Sequence, residues 1–102
     1  MSFSTAMDAL QQDAVRWDET ADGLQAAGSI VRSLAVPAAA FSFAGGDVQA
    51  VYEELRARVE TLLSEGETET AGAAVALRAV RRTYEGADQA AKDRIAGLWA
   101  WE

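Results

Sequence analysis

The chain has 102 residues, half of them hydrophobic and a quarter charged, with eight glycines and one proline. This composition excludes fibrous proteins and most disordered proteins, and it predicts one folded domain. Histidine and cysteine are absent, so the chain has no imidazole base, no thiol and no usual ligand for zinc, and we expect no enzymatic activity, no metal and no cofactor. The net charge of −7 disfavours nucleic acids and anionic membrane surfaces as partners.

A seven-residue apolar repeat occupies the first third of the chain. Large residues recur at Phe3, Leu10, Trp17, Leu24 and Val31, and small ones lie between them at Ala14, Ala21, Gly28 and Ala35. This seam predicts a helix over about residues 3–35, whose small layers let a second helix approach closely. Pro37 ends the helix because proline has no backbone N–H and disfavours helical backbone at the residue before it.

Residues 36–46 are predicted to connect this helix to a second one. Gly45 and Gly46 permit a tight turn, and Asp47 suits the N-cap of the next helix. A second seam then predicts a helix over about residues 47–85, running through Val48, Tyr52, Leu55, Val59 and Leu62 and on to Tyr84. The polar stretch 64–70 contains Gly66 and leaves three readings open: a continuous helix, a kink or a second helix start. A short helix or tail is expected over 87–102.

The spacing also predicts how the two helices pair. If the connector centres near residue 41, antiparallel helices bring together residues whose numbers sum to roughly 82, because both helices rise equally per residue. Trp17 is then expected over Gly66, which would leave room for the indole, and Leu24 is expected opposite Val59.

Two helices of about 35 residues, roughly 50 Å long, do not enclose a core by themselves. We therefore expect an all-α fold, an antiparallel helical hairpin that pairs into a four-helix bundle as a homodimer or with a related chain. The expected partner interface comprises Phe3, Leu10, Trp17, Leu24, Ile30, Val31, Leu34, Leu55, Val59 and Leu62.

Two short motifs stand near the connector and after the second helix. Tyr84 and Asp88 are four residues apart, which places them on one face of a helix, and Phe43-Ala44-Gly45 lies at the centre of the connector. A chain of this length with a helical hairpin, an aromatic-x-Gly turn and Tyr-x-x-x-Asp resembles the WXG100 (ESX) family of type VII secretion substrates. Residues 77–98 resemble the C-terminal region of the EspC-like proteins of the same system.

This resemblance implies a small partner protein that is secreted folded as a dimer, with Tyr84 and Asp88 as its export signal. Phe43 and Gly45 would act as structural or ATPase-contacting elements of the turn. The protein would be cytoplasmic before export and would carry no Sec signal peptide, since the first residues have no basic and apolar regions. The implied partners are a helical hairpin, the secretion ATPase and, as a further candidate, a co-secreted toxin.

The residues alone leave alternatives open. Tyr84 could be the last residue of the seam and Asp88 the cap of a short final helix, in a cytoplasmic adaptor or dimerisation module that is not exported. Leu98, Trp99 and Trp101 form an apolar C-terminus that either folds back onto the bundle or docks into a groove of the secretion machinery or of a cargo.

Overall fold

A computed structural model describes residues 2–37, 46–87 and 89–98, and all regular structure in these ranges is helical. The helices are α1 (Phe3–Ser33), α2 (Gly46–Glu85) and α3 (Gln89–Leu98). The chain divides into two compact units: unit 1 is Met1–Glu19 with Thr70–Glu102, and unit 2 is Thr20–Glu69. The predicted all-α class is confirmed for the described residues.

Local hydrogen bonds set both ends of α1. Ser2 caps its start, because the Ser2 Oγ accepts a hydrogen bond from the Thr5 N–H at 3.0 Å. The helix ends at Ser33, two residues before the end that Pro37 suggested. There the Ser33 hydroxyl donates to the Ile30 carbonyl at 2.6 Å, so a serine side chain satisfies one of the carbonyls that the last turn leaves open.

Helix α2 runs without interruption from Gly46 to Glu85 and passes through Gly66. The polar stretch 64–70 is therefore neither a second helix start nor a gap in the helix. The Thr68 hydroxyl donates to the Ser64 carbonyl at 3.1 Å, one turn back, which keeps this side chain compatible with helical backbone. After Glu85 the N–H of Gly86 reaches the Arg82 carbonyl at 3.1 Å and closes the last turn.

Small side chains dominate the buried interior of the two units, and Met7 is the one large side chain among the buried described residues. The buried residues are Ala6, Met7, Ala14 and Ala74 in unit 1, and Ala21 and Gly28 in unit 2. The small layers at positions 14, 21 and 28 of the α1 seam are thus buried as the repeat predicted, whereas the fourth predicted layer, Ala35, lies beyond the end of α1 and is exposed. No large side chain among the described residues is completely buried, so close backbone approach, and not a bulky core, brings the helices together.

In unit 2 the two helices run antiparallel, but the predicted register is wrong. Leu24 Cδ1 lies 3.2 Å from the position a Cβ would take at Gly66, and Trp17 is 42% exposed. Leu24 therefore occupies the space expected for the indole, seven positions further along α2 than Val59. The equal-rise assumption fails because residues 34–37 lie outside the helix, and non-helical backbone does not advance by 1.5 Å per residue.

Further pairings support this register. Leu63 Cβ lies 3.9 Å from the Cβ position of Gly28, and Arg32 Nε donates to Glu60 Oε1 at 2.8 Å. As the residue number falls along α1, the number of its partner on α2 rises, which defines the antiparallel direction in unit 2.

Unit 1 is also antiparallel and is held at its surface by polar contacts. Arg78 Nη2 lies 2.7 Å from Asp18 Oδ2, and Arg81 Nη1 donates to Gln11 Oε1 at 3.3 Å. Helix α3 buries none of its described residues. Lys92 of α3 has its Nζ 5.6 Å from the centroid of the Phe3 ring, within the range of a cation–π interaction.

Candidate interaction surface

Three strongly exposed apolar side chains of unit 2 lie on one face of α2. Val51, Leu55 and Leu62 are 66%, 61% and 66% exposed, and their spacing of four and seven residues places them in line along the helix. We call these three residues the α2 stripe. Ile30 in the last turn of α1 and Leu34 immediately after the helix are also exposed. Large aliphatic side chains in such a row are the usual mark of an unpaired helix face.

Shallow grooves join the α2 stripe to its surroundings within unit 2. A groove of about 260 Å³ is lined by Val51 and Leu55, and one of about 480 Å³ by Leu62. Leu55 also borders a groove of about 190 Å³ whose other walls include Leu34 and Val59. The apolar surface therefore extends from α2 onto the end of α1, and it has the elongated form that suits another helix rather than a small molecule.

A network of four charged residues lies at the end of α1, and we call Arg32, Glu53, Arg56 and Glu60 the polar clasp. Arg56 Nε donates to Glu53 at 3.0 Å and its Nη1 donates to Glu60 at 2.8 Å. Glu60 also accepts the hydrogen bond from Arg32 of α1. Arg56 is only 16% exposed in its side chain and both glutamates are 27% exposed, so this is a partly buried, shared-charge network that joins the two helices.

The polar clasp also holds the segment that leaves α1. Glu53 Oε1 accepts a hydrogen bond from the Val36 N–H at 3.1 Å, and the Tyr52 hydroxyl donates to the Leu34 carbonyl at 2.6 Å. These two bonds satisfy backbone groups that no longer belong to a helix. They direct the chain along α2 immediately after α1 ends.

Hydrogen bonding shifts the pKa values of three clasp residues, Glu53, Glu60 and Arg56. The Val36 N–H, followed by Arg56, lowers the pKa of Glu53 below its ordinary value. Arg32, followed by Arg56, lowers the pKa of Glu60, and the two carboxylates raise the pKa of Arg56. Glu53, Glu60 and Arg56 are therefore charged at neutral pH. The chemistry of the clasp is mutual neutralisation, which suits a structural role.

Charged side chains border the α2 stripe itself. Glu54 and Arg58 line both grooves beside Val51 and Leu62, and Glu65 lines the groove at Leu62. Arg58 Nη2 lies 3.5 Å from Glu54 Oε1, and both side chains are well exposed, so this pair contributes little to stability. The border leaves the apolar centre accessible and gives it a polar edge, as in a typical protein interface.

The structure distributes the predicted interface residues over two environments. Six are exposed, namely Trp17, Ile30, Leu34, Leu55, Val59 and Leu62; four are half-buried, namely Phe3, Leu10, Leu24 and Val31. Two of the half-buried residues contact their own chain: Leu24 packs toward Gly66, and Phe3 lies under Lys92. Within unit 2, the exposed predicted residues Leu34, Leu55, Val59 and Leu62 line the grooves of the apolar surface, whereas Ile30 is exposed but lines none of these grooves.

The C-terminal motif is only partly within the described residues. Tyr84 lies half-buried in the last turn of α2, one residue before the helix ends, and Leu98 is exposed at the end of α3. Asp88, the turn residues Phe43 and Gly45, and the terminal Trp99 and Trp101 lie outside the described residues. The proposed export and docking roles of these residues remain predictions.

Sequence reasoning did not identify the polar clasp. Part of its signal is local, since Glu53, Arg56 and Glu60 are spaced three and four residues apart on one helix. Arg32 is 28 residues from Glu60 in the sequence, and no local sequence pattern predicts an ion pair between residues so far apart. The polar clasp can be identified only when the register between α1 and α2 is known, and that register was predicted wrongly.

Comparison with protein-family models, with curated proteins and with solved structures finds no match for this chain. No described helix is long and apolar enough to cross a membrane. Within the ranges 2–37, 46–87 and 89–98, no group of acidic side chains is arranged to hold a metal ion. The candidate function therefore rests on the apolar surface and on the sequence motifs.

Proposed function

We propose that the protein is a non-enzymatic helical hairpin that pairs with another hairpin into a four-helix bundle and serves as a type VII (ESX-like) secretion substrate or co-secreted partner. The observation that carries the pairing is the α2 stripe, three large aliphatic side chains that are each more than 60% exposed. Full burial of such a side chain is worth about 1.5–3 kcal/mol, so covering the stripe would contribute roughly 3–6 kcal/mol.

The composition of the interior supports the same proposal. The buried residues are mostly alanines, and no large side chain of the described part is fully buried. The large aliphatic residues of the α2 stripe therefore gain most of their burial only from a partner. Homodimerisation and pairing with a related hairpin both meet this need.

The export part of the proposal rests on the resemblance to WXG100 and EspC-like proteins. Tyr84, at the end of α2, and Asp88 are proposed as the export signal, and Phe43 with Gly45 as the turn motif that the secretion ATPase contacts. Trp99 and Trp101, with Leu98, are proposed to dock on the secretion machinery or a cargo. A helical adaptor that stays inside the cell is the alternative, because it would need the same apolar surface but not the motif.

A secretion assay in a host with a type VII system tests the export proposal. The amounts of wild type, Tyr84→Ala and Asp88→Ala in culture supernatant and cell pellet are compared, with circular dichroism to confirm that each variant stays helical. Arg82→Ala is the matched control, since Arg82 is an exposed side chain in the same turn region. We expect export to be lost for both motif variants and kept for the control. Equal export of all four proteins would remove Tyr84 and Asp88 as the export signal, and export of none would favour the non-exported adaptor.

A further inference from the structure

The charge of unit 2 bears on which partner covers its apolar surface. Unit 2 contains eight carboxylates and three arginines, a net charge of −5, out of −7 for the whole chain. The excess of acidic groups is therefore concentrated in the unit that exposes the α2 stripe. Unit 1, by the same count, has a net charge of −2.

The three arginines of unit 2 are already engaged by carboxylates of the same unit. Arg32 and Arg56 belong to the polar clasp, where they neutralise Glu53 and Glu60. Arg58 lies 3.5 Å from Glu54 at the border of the α2 stripe. The remaining negative charge of unit 2 is thus not balanced by arginines of its own.

Part of this excess lies at the edge of the apolar surface. Glu65 follows Leu62 by three residues, is exposed and lines the same groove. Glu69 follows Glu65 by one helical turn and is also exposed. The α2 stripe therefore continues into a run of acidic side chains, and a helix lying along it would pass from an apolar centre to a negative edge.

We infer that the α2 stripe binds an amphipathic helix whose apolar face is flanked by lysines or arginines and which belongs to a different chain, not to a second copy. The inference rests on the helix pairing proposed above and adds the chemistry of the partner. Neither unit of a second copy has a net positive charge, so self-association would bring like charges together. Exposed charges still interact within the Debye length of about 10 Å at 0.1 M salt, and complementary edges favour the correct partner.

Two synthetic helical peptides with the same leucine face, one flanked by lysines and one by glutamates, test this inference. Each is labelled and titrated with the full-length protein, and fluorescence anisotropy is measured at low and at high salt. We expect the lysine peptide to bind about tenfold more tightly at low salt, and the difference to shrink at high salt. Glu65→Lys should weaken binding of the lysine peptide about threefold and strengthen binding of the glutamate peptide.

A matched pair of neutral substitutions locates the binding face. Leu62→Asn removes an aliphatic side chain of the α2 stripe, whereas Val75→Asn changes a residue that is 63% exposed but lines none of these grooves. We expect Leu62→Asn to weaken binding at least about tenfold and Val75→Asn to leave it unchanged. Circular dichroism of both variants separates a loss of binding from a loss of helix.

Three results would overturn the inference: equal affinity of the two peptides, binding of neither, or a dimer of the chain in sedimentation equilibrium that Leu62→Asn dissociates. The last would identify a second copy as the occupant. These results are distinguishable from failure of the export proposal. Selective binding of the lysine peptide together with normal secretion of Tyr84→Ala would overturn only the role of Tyr84 in the export signal.

Discussion

A single methyl group at Gly66 tests the packing of unit 2 at a close contact. The Cβ of an alanine at this position would lie 3.2 Å from Leu24 Cδ1, which is closer than ordinary van der Waals contact. Gly72, six residues further along the same helix, has nothing within 4 Å of its Cβ position. The two glycines therefore share a helix and differ in their surroundings.

The expected magnitudes follow from these surroundings. Replacing a glycine by alanine inside a helix is worth about 0.8–1 kcal/mol in favour of folding. Gly72→Ala should show this gain in full, as a rise of roughly 4–8 °C in Tm for each kcal/mol in a domain of this size. In Gly66→Ala the contact with Leu24 costs about 1 kcal/mol or more, so the net change should be close to zero or destabilising.

Urea and thermal unfolding followed by circular dichroism measure these changes, and a double-mutant cycle identifies the neighbour. Combining Gly66→Ala with Leu24→Ala should relieve the clash and give a coupling of about 0.5–1.5 kcal/mol, whereas Gly66→Ala with Trp17→Ala should be additive within about 0.3 kcal/mol. Coupling to Trp17 and not to Leu24 would refute this register, and a full gain in Gly66→Ala would refute the expected cost of the contact with Leu24.

Two further predictions concern the polar clasp and α3. The folded-state pKa values of Glu53 and Glu60 are lowered, so their contribution to stability is fully present above about pH 4.5 and is lost as the pH falls through the lowered values. The Tm values of wild type and Glu60→Gln should therefore differ at pH 7 and converge in acid. A difference in Tm that stays constant down to pH 2 would contradict the assignment. Lys92→Met removes the cation over Phe3 and should weaken the docking of α3 by about 0.5–1 kcal/mol. Faster amide exchange in residues 89–98 measures this loss, with Arg94→Met as the control; equal exchange in both variants would count against this contact.

The sequence was informative about elements and much less so about their pairing. The heptad repeat identified the first helix and the small layers that are buried at Ala14, Ala21 and Gly28, because the period of a helix is a local property of the backbone. The register was wrong because it depended on the path of residues 34–37, where non-helical backbone makes the advance per residue unpredictable from the pattern.

The candidate surface was anticipated in part. Leu55 and Leu62 were predicted as interface residues and are exposed, since a helix with apolar residues on more than one face cannot bury all of them against a single neighbour. Phe3 and Leu24 were predicted in the same interface but contact their own chain. The partner of a side chain depends on which helices come together. The identity of an apolar residue does not indicate whether it contacts its own chain or another chain.

The amino-acid sequence by itself determined that this protein is helical, acidic and without histidine or cysteine, because helix propensity, charge and side-chain chemistry are properties of residues and of their near neighbours. Only the tertiary structure decided that Leu24 and not Trp17 packs against Gly66, that Arg32 completes the polar clasp with Glu60, and that Val51, Leu55 and Leu62 stay exposed. Each of these depends on the register between two helices, which is set by contacts between residues that are distant in the chain.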